Sequence, residues 1–91
     1  MDNEKLIELA SYALDCEEPE TYHFIPEGLK SITLIPCGNN CMQIQIDNEP
    51  PYDPVCGPQK LVSCLKTILR NLRANGIYEE NSLEDILSMF Q

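Results

Sequence analysis

The sequence predicts a small α+β domain of order α-β-β-β-α-α, with an antiparallel three-stranded meander packed on helices. Three observations carry that expectation. Apolar residues recur at helical spacing in segments at both ends of the chain. Between them, Cys41-Met42-Gln43-Ile44-Gln45-Ile46-Asp47 alternates strictly, as a half-buried strand does. Proline, glycine and asparagine fall where turns are needed. Ninety-one residues leave room for one core, so residues 1–91 are read as a single domain. A content of 43% hydrophobic and 23% charged residues suits a globular chain rather than a disordered one.

The first helix is expected over residues 3–15. Leu6, Ile7, Leu9, Ala10, Ala13 and Leu14 share one broad face. Asp2 or Asn3 can cap it, and Glu4 and Glu8 suit its positive end. Pro19 disfavours a helical residue before it, so the helix stops near Glu17-Glu18.

Two hairpins should follow. Pro26-Glu27-Gly28 has the composition of a type I turn with a glycine bulge, joining a strand near Thr21–Ile25 to one near Leu29–Pro36. Gly38-Asn39-Asn40 reads as a three-residue loop, because asparagine tolerates the left-handed conformation. That loop would pair Cys37 with Cys41, Leu34 with Ile44, and Ile32 with Ile46. The apolar residues Ile32, Leu34, Met42, Ile44 and Ile46 then share one face, and a slip of one residue would destroy the agreement. This second hairpin is the minimum sheet expected. Tyr22 and Phe24 would join the same apolar face.

Residues 48–58 hold Pro50, Pro51, Pro54 and Pro58 and are expected to be a loop, since proline supplies no backbone donor. Gly57-Pro58 opens a second helix running to about Ala74, where Asn75-Gly76 ends it. Its core face is Leu61, Val62, Leu65, Ile68, Leu69 and Leu72. Asn81 or Ser82 caps a short last helix carrying Leu83, Ile86, Leu87 and Phe90. The meander leaves two sheet edges, either of which could pair with a second copy to make a homodimer.

Charge is the strongest functional signal. Fifteen acidic residues against six basic ones give a formal charge of −9. That charge repels nucleic-acid backbones and anionic membranes, so direct nucleic-acid or membrane binding is not expected. No apolar run is long enough to span a bilayer, and the N-terminus Met1-Asp2-Asn3-Glu4 is acidic where a secretory signal is basic. The expected location is cytoplasmic.

The acids cluster in loops. Glu17, Glu18 and Glu20 crowd one, beside Asp15; Asp47, Glu49 and Asp53 crowd another. These six are the candidate contacts to a basic protein partner, and their simpler role is solubility and helix capping. Among the cations, Lys66, Arg70 and Arg73 form a stripe opposite the leucine face of the second helix, with Lys60 apart. The stripe is a candidate anion site. Its simpler role is a solvated outer face that also complements the helix dipole.

The chain has five cysteines, Cys16, Cys37, Cys41, Cys56 and Cys64. An odd number without a signal peptide argues against a secreted disulfide framework, so packed free thiols are the default and air oxidation of Cys37 with Cys41 is the alternative. The spacing lacks a Cys-x2-Cys knuckle, so no metal site is assigned. Cys56 precedes a helix N-terminus and His23 is the sole histidine, but nothing in the spacing brings them together for nucleophilic catalysis. No glycine-rich phosphate loop or other cofactor motif is present. The expectation is therefore a non-enzymatic protein without a cofactor.

Small, acidic and motif-poor, the chain is similar in composition to anti-defence and anti-CRISPR proteins of phages and mobile elements. The likeness is one of composition, not of a family. It implies an inhibitor that occupies the basic surface of a nucleic-acid-handling partner. The alternative is a homo-oligomeric binder that sequesters an anionic, nucleotide-like ligand through Lys66, Arg70 and Arg73. In the first reading the acids are exposed and clustered while the stripe is balanced within the chain. In the second the stripe faces a pocket or a two-fold axis.

Overall fold

The computed structural model describes residues 3–23, 31–74 and 82–90. The order of elements is α1 (Asn3–Leu14), β1 (Glu20–His23), β2 (Ser31–Gly38), β3 (Cys41–Ile46), β4 (Val55–Cys56), α2 (Pro58–Ala74) and α3 (Ser82–Ser88). The α+β class and the helix–strands–helices order match the sequence expectation. The sheet has four strands rather than three, in the order β1-β2-β3-β4, all antiparallel.

The fourth strand lies inside the segment expected to be a loop. Its prolines exclude a long strand, yet Val55 and Cys56 fall between Pro54 and Gly57 and pair with Met42 and Cys41. The Tyr52 N–H donates to the Ile44 carbonyl at 2.8 Å, and the Gly57 N–H to the Asn40 carbonyl at 2.9 Å. The connection thus runs back along β3 instead of looping free. Gly57 adopts a φ of 90°, a conformation L-residues rarely take, and its carbonyl accepts from the Leu61 N–H as α2 begins.

The β2–β3 register bears out the pairs Ile32–Ile46 and Leu34–Ile44. Nearer the turn it departs from the expectation. Gly38, not Cys37, opposes Cys41, and the register shifts between Pro36 and Gly38. The connecting loop is therefore two residues, Asn39 and Asn40, with φ of 54° and 63°. Positive φ at both positions is the type I′ geometry whose twist matches a hairpin. Cys37 is the extra residue of a bulge.

One face of the sheet meets the helices. Ile32, Leu34, Met42 and Ile44 are fully buried, and Ile46 nearly so. They join Leu6, Leu9, Ala10, Ala13 and Leu14 of α1, Leu61, Val62, Leu65, Leu69 and Leu72 of α2, and Leu83, Ile86 and Leu87 of α3, with Phe90, in one core. Helix α1 packs against both α2 and α3. Tyr22 of β1 is half-buried against this core, as the strand parity implies. The other sheet face is mostly polar: Thr21 and Thr33 hydrogen-bond across β1 and β2 at 2.9 Å. The expected Pro26-Glu27-Gly28 turn, Phe24 and the Asn75-Gly76 stop lie outside the described residues.

The cysteine expectation is corrected. Cys41 forms a disulfide with Cys56, its opposite residue across β3 and β4, with Cα atoms 4.0 Å apart. Cys16, Cys37 and Cys64 are free. Cys41 bonds Cys56 rather than Cys37, and the bulge at Cys37 makes Gly38 the in-register partner of Cys41. Cys56 reaches Cys41 through β4, a two-residue strand inside the proline-rich segment expected to be a loop.

Candidate functional site

Helix α1 ends at Leu14 with a tightened last turn, in which the Asp15 and Cys16 amides donate to the Tyr12 and Ala13 carbonyls, both at 3.1 Å. The chain then crosses the C-terminal end of α3. The Cys16 thiol lies between the two ends: its Sγ is 3.5 Å from the Tyr12 carbonyl and 3.8 Å from the Phe90 carbonyl, within reach of a weak S–H donor. Glu20 starts β1 immediately afterwards. The result is an open cleft of about 530 Å³ lined by Asp15, Cys16, Glu17, Glu18, Glu20, Met89 and Phe90. Its apolar lining residues are Cys16, Met89 and Phe90, less exposed than the acids beside them. Its acids are all exposed.

The charge at this cleft runs against the helix dipoles. A helix C-terminus carries partial negative charge and normally attracts cations. Here α1 and α3 both end beside the cleft, and neither has a basic residue in its last turn. Four carboxylates are added where cations would stabilise. Local rules broken without an internal gain point to function more often than to folding.

Three of the six expected acidic contacts, Glu17, Glu18 and Glu20, thus come together in the cleft. The other three do not join them. Asp47 follows β3, Glu49 and Asp53 lie on the segment running beside β3, and β1 is at the opposite edge of the sheet. Asp47 is engaged in the fold: its Oδ1 accepts from the Ser31 backbone N–H at 2.8 Å. Glu49 and Asp53 are exposed. The lining residues Met89 and Phe90 lie outside the site the sequence predicts. Phe90 was recognisable only as part of an apolar stripe, and nothing local showed that the end of α3 meets the end of α1.

The basic stripe is only partly engaged. The Lys66 amine donates to Asn3 Oδ1 at 2.7 Å, a neutral amide at the start of α1 rather than a carboxylate. Arg70 is exposed. Arg73 belongs to α2, but its side chain lies outside the described set. Elsewhere, the Lys5 amine pairs with the Glu84 carboxylate at 2.7 Å, linking α1 to α3.

His23 and Cys56 cannot form a catalytic pair. His23 ends β1 and Cys56 lies in β4, the two outer strands of the sheet, and the Cys56 sulfur is held in the disulfide. Among the described residues no group of three or more His, Cys, Asp or Glu side chains is placed to hold a metal. Among them, too, no helix is long and apolar enough to cross a membrane. Burial pushes the Cys64 thiol above its ordinary value.

No protein-family model, curated protein or solved structure matches this chain.

Proposed function

We propose that the chain is a non-enzymatic interaction protein, an inhibitor that occupies the basic surface of a nucleic-acid-handling partner, of the anti-defence or anti-CRISPR type found in phages and mobile elements. The observation that carries this reading is the acidic cleft at the joined ends of α1 and α3, lined by Asp15, Glu17, Glu18 and Glu20 together with Cys16, Met89 and Phe90. Carboxylates spaced around a groove mimic the charge a nucleic acid presents, and arginine and lysine are the groups that read it. The apolar lining residues add a contact that discriminates a protein surface from free cations. The formal charge of −9 speeds encounter with a basic partner and argues against the protein holding nucleic acid itself. We place this action in the cytoplasm, a reducing compartment in which the Cys41–Cys56 bond would be subject to thiol chemistry.

The decisive experiment is affinity capture from the host with wild-type protein and with a Glu17→Lys, Glu18→Lys, Glu20→Lys variant. Partners recovered equally by both, with retention insensitive to salt, would sink the proposal.

The anion-binding alternative is favoured by one observation: Lys66 rests on a neutral amide and keeps its charge uncompensated at that contact. Thermal stabilisation by nucleotides, lost in a Lys66→Ala, Arg70→Ala variant, would select it instead.

A further inference from the structure

Cys41 has a cysteine on each neighbouring strand. On one side it is bonded to Cys56 of β4. On the other, the register runs from Pro36–Met42 to Gly38–Cys41, so the bulge sets Cys37 and Gly38 together against Cys41. Adjacent strands lie about 4.8 Å apart. That spacing falls within the Cα separation of about 4.4–6.8 Å that a disulfide usually spans. Cys37 is an exposed free thiol whose Sγ–H points to the Ile35 carbonyl at 3.3 Å, a weak bond that is easily given up. Cys56 is exposed as well.

We propose that Cys37, Cys41 and Cys56 form a thiol–disulfide exchange site in which Cys37 displaces Cys56 from Cys41. Cys37 loses its proton to solvent, and its thiolate attacks the Cys41 sulfur. The Cys37–Cys41 bond forms as the Cys41–Cys56 bond breaks, and Cys56 leaves as a thiolate that takes a proton from solvent. One disulfide and one thiol are present before and after, so no oxidant or reductant is consumed. Cys41 is the sulfur attacked because β2 and β4 are separated by β3, roughly 9.6 Å at two strand spacings. The leaving group is favourable too. Cys56 stands two residues before Pro58, which opens the 17-residue α2 with no acidic residue in its first turn. The positive end of that helix stabilises a departing thiolate, and a better leaving group speeds exchange.

The exchange has a structural consequence. With Cys56 bonded, the start of α2 is covalently tied to the β2–β3 hairpin. With Cys37 bonded instead, that junction rests on backbone contacts, chiefly Gly57 to Asn40 and Tyr52 to Ile44. The choice of disulfide therefore sets how firmly the connection 48–57 and the first turn of α2 are held.

The test is disulfide mapping of the monomer. Full-length protein with one disulfide is held at pH 8.5 without redox reagents, alkylated, and mapped by mass spectrometry. The expected result is a Cys37–Cys41 isomer with Cys56 alkylated, at a level about ten-fold above that in Cys37→Ser at the same time. Equal Cys56 alkylation in the two proteins, or none in either, overturns the proposal. A Cys56→Ser variant oxidised with glutathione disulfide is expected to close Cys37–Cys41. Glutathione mixed disulfides on both cysteines would contradict it.

Discussion

Asp47 closes the β2–β3 hairpin onto Ser31. Its carboxylate accepts from the Ser31 backbone N–H at 2.8 Å and lies 3.4 Å from the Ser31 hydroxyl, while its own N–H donates to the Ser31 carbonyl at 3.0 Å. The φ of 51° at Asp47 bends the chain out of β3. One residue thus ends two strands and satisfies a backbone donor that would otherwise be left at the sheet end.

Asp47→Ala is therefore expected to cost about 1–2 kcal/mol, from a lost charge-assisted hydrogen bond and a left-handed alanine. Asp47→Asn keeps an acceptor and tolerates the conformation, so it should cost less. Glu49→Ala and Asp53→Ala, at exposed positions, should stay within about 0.5 kcal/mol of wild type. Urea denaturation of the four variants checks the order.

The cleft acids should trade stability for binding. Glu17→Lys and Glu18→Lys place cations at the C-terminal end of α1, so each should raise stability by roughly 0.3 kcal/mol at low salt. Together with Glu20→Lys they move the formal charge from −9 to −3. The triple variant is expected to melt no lower than wild type while losing its partner. A lower melting temperature would show that the acids serve the fold after all.

The Asn39-Asn40 turn predicts a favourable glycine. Asn40→Gly keeps the backbone acceptor for Gly57 and suits a φ of 63°, so it should be neutral or slightly stabilising. Asn40→Val should lose about 1–2 kcal/mol, because a β-branched side chain resists the left-handed region. Thermal denaturation of both proteins gives the comparison.

Cys64 predicts an alkaline limb in the stability profile. Burial raises its pKa in the folded chain above the unfolded value. Its contribution is complete below the unfolded thiol range, about pH 8.5, and declines as pH rises through the folded value. Cys64→Ala should fall less steeply as pH rises above about 8.5. At pH 8 the Cys64 thiol should also alkylate more slowly than exposed Cys37, followed by timed mass spectrometry.

The helices and the central hairpin register could be read directly, because both rest on local periodicity. Leu6, Leu9, Ala10 and Ala13 repeat at helical spacing, and Ile32, Leu34, Ile44 and Ile46 keep one parity across a turn. The loop is one residue shorter than the sequence predicts, since Gly38, Asn39 and Asn40 all tolerate positive φ and their composition does not say which residue bulges. The acids Glu17, Glu18 and Glu20 were visible as a cluster, and they remain neighbours in space because they are neighbours in sequence.

Three relationships came only with long-range contacts. Met89 and Phe90 reach Cys16 because α1 and α3 bury their apolar faces against each other, and no local pattern records which ends then meet. Cys56 finds Cys41 because Tyr52 and Gly57 lay a proline-rich segment along β3, and a two-residue strand has no periodicity to detect. Asp47 stays apart from Glu17, Glu18 and Glu20 because β2 lies between its strand and β1. Local spacing fixes which face a side chain takes. Which other face it meets depends on how the elements share a single core.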